Sequence, residues 1–282
     1  MNSIIKWLQL NEIKGKYFIY QLGLKLGLGR KLIHHSIQGK DFFVPWDQWC
    51  FWLEYGPENY YPDDIIPLAT IANQLSGDTC LRELGADIGT VSAQLKTLCN
   101  FAEVICLEPN PNSFDILEKN ASSIGFTPLN LAISDFNGQA NLHFKPALGS
   151  DHEGYIEACG SGSTQVVNLD HLFTTYKLEN YPNILLKIDV EGQEVATFRG
   201  ATRLLQHTKN IVVMVEIHPD VLTREAMTAE EIFLEAEKHR AFTWVVPSLS
   251  NKTVDRSKPF FSQFPNHQFD VIGISTESVV SL

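Results

Sequence analysis

The 282-residue chain carries 22 Lys and Arg against 33 Asp and Glu, a formal net charge of -11, with 44% hydrophobic residues. That balance is ordinary for a folded domain and excludes a broad nucleic-acid surface, which needs an excess of cations. No apolar run reaches the ~18–20 residues that span a bilayer, and five cysteines without a CxxC pair read as free thiols in a reducing cytoplasm.

Residues 1–41 depart from the acidic balance. Lys6, Lys14, Lys16, Lys25, Arg30, Lys31 and Lys40 meet only Glu12 and Asp41, so this head carries +5 and the remainder -16. It is expected to be a helical extension packed on the main domain. Weak, salt-sensitive attraction to anionic lipid at the inner membrane face, or to a lipid-linked polyanionic glycan, is the second reading. Phe42, Phe43, Trp46, Trp49, Phe51 and Trp52 read as core beneath the extension, with a sugar-stacking platform as the alternative. His34, His35 and His152 read as ordinary surface or loop residues. The turn cluster YGPENYYPDD marks a boundary, giving an extension over 1–60 and a main domain over 61–282.

Beyond that boundary, short apolar runs alternate with helix-like runs. TCLRELG precedes TVSAQLKTLC, EVICLEP precedes PNSFDILEKNASSIG, and TPLNLAIS precedes a hairpin at Asn137-Gly138. NILLKIDV then precedes GQEVATFRGATRLLQ, and NIVVMVEIHP precedes TAEEIFLEAEKHR, where Thr228 and Glu231 have capping-box spacing. The alternation predicts an α/β fold: a doubly wound, mostly parallel sheet of seven strands with helices on both faces. FTWVVP and FDVIGIS predict an antiparallel C-terminal edge. The Gly- and Ser-rich stretch from Gly149 to Thr164 predicts a long loop or a lid.

Ligands of such sheets bind at the carboxyl ends of the strands, where strand order reverses. The first central strand ends in RELGADIGT. A diphosphate cradle wants G-x-G-x-x-G, so that bare backbone approaches the phosphates. Here Asp87 takes the second glycine position and, with Glu83, repels a diphosphate at close range. S-adenosylmethionine, with a sulfonium, an ammonium and no phosphate, reverses the argument. Glu83 would attract its ammonium, Gly85 permits the tight turn, and Gly89 lets the helix come close. Glu108 ends the next strand nineteen residues after Gly89, the spacing of an acid that accepts from ribose hydroxyls. The bland alternative is a tight turn and a solvated Glu. The backbone of Ala132 and Ile133 and the carboxylate of Asp135 fall near the expected adenine; Asp135 reads equally as a turn residue.

Four segments in this order, ELGADIGTVS, VICLEPNP, NLAISDFNG and ILLKIDVEGQEVATFRGA, followed by VVMVEIHP, resemble the FkbM family of S-adenosylmethionine-dependent methyltransferases. The resemblance spans roughly Thr79 to Pro219. Glu83 and Asp87 stand where Asp and Asn are common in the family, and both keep hydrogen-bond acceptors. The likeness implies methyl transfer, usually to a hydroxyl of a sugar, polyketide or similar metabolite, without identifying the acceptor. A nitrogen or protein acceptor, a noncatalytic binding module and a nicotinamide dehydrogenase are the competing readings. A homo-oligomer is compatible with all of them.

In-line methyl displacement asks a protein to align two reactants and to manage one proton. Lys187, Asp189 and Glu191 alternate along LLKIDVEG, with Asp189 at the strand end beside the expected methyl site. Glu191 and Glu194 read as acids capping the next helix. Glu216 and His218 repeat the arrangement on the following strand. His218 is a candidate general base, or a structural hydrogen bond at the strand end. Asp189, Glu216 and His218 are alternatively candidate ligands of a divalent cation such as magnesium, although no tight ligand spacing supports a preformed site. Lys187 either neutralises these acids or touches acceptor oxygens.

Overall fold

The computed structural model describes residues 7–9, 11, 14–151, 153–157 and 162–276. Lys6, Glu12, His152 and Cys159 lie outside the described residues. The chain opens with α1 (Lys16–Lys25), the strands β1 (Leu32–Ile37) and β2 (Lys40–Pro45), α2 (Trp49–Leu53) and α3 (Pro62–Ala72). Then come β3 (Thr79–Leu84), α4 (Thr90–Leu98), β4 (Glu103–Leu107), α5 (Pro111–Ile124) and β5 (Thr127–Leu129). Four short strands follow, β6 (Ala132–Ile133), β7 (Gly138–His143), β8 (Tyr155–Glu157) and β9 (Thr164–Val167), with α6 (Leu169–Thr175) after them. The last half-sheet runs β10 (Asn183–Ile188), α7 (Glu194–Arg199), α8 (Thr202–His207), β11 (Asn210–Ile217), α9 (Pro219–Arg224) and α10 (Ala229–Glu237). It closes with β12 (Thr243–Val246), β13 (Lys252–Thr253), α11 (Phe260–Gln263) and β14 (Phe269–Ser275).

The main sheet has the order β13-β12-β14-β11-β10-β3-β4-β5. Its five strands from β11 to β5 are parallel, and β14, β12 and β13 add the antiparallel edge. From β3 the chain winds outward through β4 and β5, then returns to β10 on the opposite flank. The strand order therefore reverses between β3 and β10, the point at which sheets of this kind bind ligands at their carboxyl ends.

Side-chain alternation divides this sheet between two cores. Cys80, Leu84, Ile184, Leu186, Val213 and Val215 join Phe173, Phe198 and Phe233 of the later helices. Leu81, Leu185, Val212 and Met214 face the other way, onto α2 to α5 and the N-terminal segment. A fully buried side chain of this size contributes roughly 1.5–3 kcal/mol, so both faces are firmly covered. The expected α/β sheet with helices on both faces is what forms. The Thr228–Glu231 capping box is present as well.

Four local expectations are corrected. The main sheet holds eight strands, because the two-residue β13 extends its edge. TPLNLAIS is not one strand: β5 stays in the main sheet while β6 leaves for a second sheet of order β6-β9-β7-β8. No hairpin forms at Asn137-Gly138, since β9 inserts between its arms and Val166 pairs with both Ala132 and Gly138. The Gly149–Thr164 stretch is correspondingly part strand, with β8 and the start of β9 inside it.

The N-terminal segment contains a hairpin besides its helix, β1 and β2 being paired antiparallel from Leu32–Pro45 to Ile37–Lys40. Within β1 the period of two turns His34 outward and His35 inward. His35 is fully buried with both ring nitrogens unpartnered, and burial pushes its pKa down to about 4, so the ring is neutral. Phe42, Phe51 and Trp52 share a core with Leu81, Cys106 and Met214. Burial removes those three rings as a sugar-stacking platform. No helix among the described residues is long and apolar enough to cross a membrane.

Candidate functional site

The crevice floor is made by backbone that only glycine permits. Gly85 has φ +77, and a Cβ there would stand 1.7 Å from the carbonyl oxygen of Asp189. The ends of β3 and β10 therefore touch at this point, with Asp189 N donating to Leu84 O at 3.0 Å. Gly89, at φ +84, leads into α4; a Cβ there would meet Phe126 at 2.7 Å and Leu117 at 2.8 Å. Its absence lets α4 lie close to α5 and the segment that follows.

Between the glycines, Asp87 adopts φ +48 and its N–H donates to Glu108 Oε2 at 2.8 Å. The other oxygen of Glu108 accepts from Asn110 N, also at 2.8 Å. Burial pushes the Glu108 carboxyl up to about 8, with the Asp87 charge adding to it. Glu83 lies inside the sheet, accepting from Ser92 N at 3.1 Å, and burial pushes it up to about 7. Parallel register sets Glu83 directly beside Lys187 on one strand and Cys106 on the other. The turn is thus ringed by buried carboxylates with too few cations to match them.

A polar clasp that no local motif announces holds the Asp87 side chain. Gln48 Nε2 donates to Asp87 Oδ2 at 3.1 Å and to Ser150 Oγ at 2.7 Å. Ser150 Oγ in turn donates to Asp87 Oδ1. Asp47 anchors the same loop, accepting from Gly149 N and from Ser150 N. Burial raises Asp47 to about 6 and leaves its Oδ1 without a partner. The predicted lid region is therefore docked, at its Gly149–Asp151 end, over the glycine turn.

On the adenine side the structure reassigns the residues. Ala132 and Ile133 pair with Val166 and Val167 in the second sheet, so their backbone is engaged there. Asp135 is held by Arg199 Nη1 at 3.0 Å. At the end of β5 stands Asn130, whose Nδ2 donates to Glu108 O at 2.8 Å. Asn110 Nδ2, Ser113 Oγ and Thr90 Oγ1, buried around Glu108 and the turn, have no protein partner. Unpartnered buried donors beside acceptor carboxylates are chemistry that fits a ribose and adenine.

At the other strand ends, three carboxylates converge. Asp189, Glu191 and Glu216, each half-buried, bring one oxygen apiece within 4.8 Å of one another. Glu191 was expected to cap a helix; its φ of +49 instead turns it into this cluster. Glu194 does serve the helix start, accepting from Gly192 N at 3.1 Å. Burial raises Glu191 to about 8, and burial plus Asp189 raises Glu216 well above the carboxylate range. Lys187 Nζ lies 3.1 Å from Asp270 Oδ1 and 3.3 Å from Asp189 Oδ2. Burial opposes its charge, but Asp189, Asp270 and Glu216 together raise its pKa above the ordinary lysine value. Lys187 is therefore a fixed cation among acids.

His218 stands apart from that cluster. It is the N-cap of α9, its Nδ1 accepting from Asp220 N at 3.2 Å, and Glu191 takes its place beside Asp189 and Glu216. The oxygen-only donor set is of the kind that magnesium takes, with the Lys187 ammonium as its competitor. Sequence reasoning also missed Tyr60. Its hydroxyl pKa is raised well above the ordinary value by burial and then by Asp189, Tyr61, Asp270 and Glu216, so the phenol is neutral.

A family profile described as the methyltransferase FkbM domain matches residues 83–241. The hexuronic acid methyltransferase AglP of Haloferax volcanii is 32% identical over 161 residues, 56% of this chain and 63% of that relative. The match thus spans less than two thirds of the relative's length. Among solved structures, methyltransferase FkbM from Methylobacillus flagellatus aligns with TM-score 0.42 and 15% identity, covering 82% of this chain and 53% of that one. TYW2 of P. horikoshii, in complex with MeSAdo, aligns with TM-score 0.44 and 12% identity, covering 92% and 81%.

Proposed function

The chain belongs to the FkbM methyltransferase family, and on that premise we propose that it moves a methyl group from S-adenosylmethionine to a hydroxyl of a sugar or glycan. The observation that carries the reading is the under-compensated carboxylate ring at the glycine turn, with Glu83 raised to about 7 and Glu108 to about 8. A cationic donor relieves that ring, whereas a diphosphate aggravates it. This favours S-adenosylmethionine over a nicotinamide dinucleotide. Residues 61–282 form the methyltransferase domain in this reading, and residues 1–60 an extension that supplies part of the site wall.

Bound at this turn, S-adenosylmethionine supplies an electrophilic methyl carried on a sulfonium. Glu108 and Asn130 hold the ribose end, and Asp87 is kept in place by Gln48 and Ser150. Asp189, at the crevice lip, aligns the acceptor hydroxyl with the methyl group. The proton of that hydroxyl passes to the carboxylate of Asp189, which Lys187 pairs at 3.3 Å and which Glu191 and Glu216 flank. Lys187 stays charged throughout and keeps the cluster from repelling itself apart.

A saccharide acceptor is supported by the relative that acts on a hexuronic acid. A reducing cytoplasm is supported by the free thiols of Cys50, Cys80, Cys99 and Cys106. Incubation with methyl-labelled donor and a panel of sugar nucleotides, uronic acids and glycolipids tests the proposal. Label is expected on a saccharide hydroxyl. Label on nitrogen or protein would move the acceptor class, and bound donor without any transfer would favour a noncatalytic module.

A further inference from the structure

The outward face of α1 is apolar. Phe18, Leu22 and Leu26 follow at four-residue intervals, with Ile19 alongside, and Phe18 and Leu26 are 67% and 68% exposed. The inner face fixes the helix in place. Trp46 Nε1 donates to Tyr20 O at 3.1 Å, and a Cβ on Gly23 would come within 2.2 Å of the Trp46 ring. The outer side chains therefore serve no core among the described residues. Single exposed leucines are ordinary, but this is a concentration. Of the eleven large hydrophobic side chains exposed among the described residues, six lie between Trp7 and Leu26, and the other five are scattered.

The charge beside the stripe has the opposite sign to the rest of the molecule. Lys14 and Lys25, both exposed, bracket it, and Arg30 and Lys31 follow in the turn beyond. Residues 1–41 carry +5 against -16 elsewhere. We propose that α1 lies in the interface of an anionic lipid bilayer, with Phe18, Leu22 and Leu26 among the acyl chains and Lys14 and Lys25 at the headgroup phosphates. The acidic main domain is repelled from the same surface, so the protein docks with α1 down. A second copy is the poorer occupant. A two-fold contact through this face would press the lysines of both copies together, whereas a bilayer containing anionic lipid pairs every one of them. The inference is independent of methyl transfer.

Sedimentation of the full chain with extruded vesicles tests it. Partition onto phosphatidylcholine–phosphatidylglycerol vesicles is expected, with partition onto pure phosphatidylcholine about tenfold weaker. Phe18→Ser/Leu22→Ser/Leu26→Ser is expected to lower partition by about tenfold or more while leaving circular dichroism and thermal midpoint unchanged. Lys14→Glu/Lys25→Glu is expected to lower it comparably and to flatten its salt dependence. Failure of the unsubstituted chain to partition onto anionic vesicles overturns the proposal, as does partition by both variants equal to that of the unsubstituted chain. A concentration-dependent dimer in sedimentation velocity that the serine variant abolishes also overturns it, because the stripe would then face another copy.

Discussion

Ser150 Oγ donates to Asp87 Oδ1 at 2.5 Å, joining two residues 63 positions apart across the mouth of the glycine turn. Gln48 closes the triangle by donating to both. The carboxylate standing where a dinucleotide cradle has glycine is thus clamped by the extension on one side and by a loop on the other.

Loosening that clamp is expected to weaken cofactor binding without touching chemistry. A hydrogen bond to a charged group contributes roughly 1.5–3 kcal/mol, part of which solvent returns once the clasp opens. Gln48→Ala/Ser150→Ala is therefore expected to raise the Kd and KM for S-adenosylmethionine about tenfold with kcat nearly unchanged. Calorimetry and steady-state kinetics read the two effects apart. A fall in kcat at constant Kd would place Asp87 on the acceptor side instead.

Glu108→Gln separates the ribose role from turn stabilisation. The carboxylate satisfies two backbone donors at once, Asp87 N and Asn110 N, and an amide offers a single acceptor oxygen for them. Loss of one charge-assisted bond predicts donor affinity lower by about 10–100-fold. The melting temperature of the ligand-free chain is expected to stay level or rise, because a buried carboxyl raised to about 8 is removed. Unchanged affinity for the donor would end the ribose assignment.

What the sequence carried and what it withheld divide along contact range. The alternation of apolar strands with helices specifies the parallel sheet, and the turn into α4 is legible because Gly85 and Gly89 take their positive φ within one βα unit. The clasp is not legible, since Gln48, Asp87 and Ser150 are brought together only by folding. Glu191 resembles an ordinary helix-start acid until its positive φ is seen. β9 enters between β6 and β7 because Val166 serves both neighbours, a pairing that outcompetes the local Asn-Gly turn signal. His35 needed the register of β1: period two sends it inward beside Ile37, where a pair of adjacent histidines otherwise reads as surface.

The raised carboxyls predict opposite pH responses for stability and for binding. Glu83 near 7 and Glu108 and Glu191 near 8 are pushed up chiefly by burial. Each holds its proton more tightly folded than unfolded, so the stability it contributes is complete below the ordinary carboxylate range and is lost as pH rises through its folded value. The ligand-free chain is therefore expected to melt progressively lower from about pH 5 to about pH 8. A cationic donor prefers the ionised ring, so its affinity should rise over the same interval, with protons released on binding. Calorimetry in buffers of differing ionisation enthalpy measures that release, and proton uptake would contradict the assignment.

Asp189 and His218 are expected to behave differently on substitution. Asp189→Asn keeps the shape of the crevice lip while weakening its capacity to orient the acceptor and share its proton. A fall in kcat of about 100-fold is expected, with donor Kd within a few-fold of the original. His218→Ala removes only an N-cap acceptor, costing about 0.5–1 kcal/mol of stability and little activity. A bell-shaped pH–rate profile that loses one limb in the His218 variant would instead make that imidazole the base.

Metal dependence turns on Lys187. The three clustered acids could hold a hard cation by geometry alone, yet an ammonium already stands 3.3 Å from Asp189 Oδ2 and 3.1 Å from Asp270 Oδ1. A divalent ion would meet that fixed charge at a separation where repulsion is large in a half-buried setting. Activity is therefore expected to persist through dialysis against EDTA and to change less than about twofold on adding magnesium. Lys187→Met removes the competitor and leaves the acids facing one another. Its thermal midpoint should fall and then recover with magnesium, while that of the unsubstituted chain should not respond. Activity lost to EDTA and restored by magnesium in the unsubstituted enzyme would show that the cation outcompetes the lysine, and would make the cluster a metal centre rather than a proton acceptor.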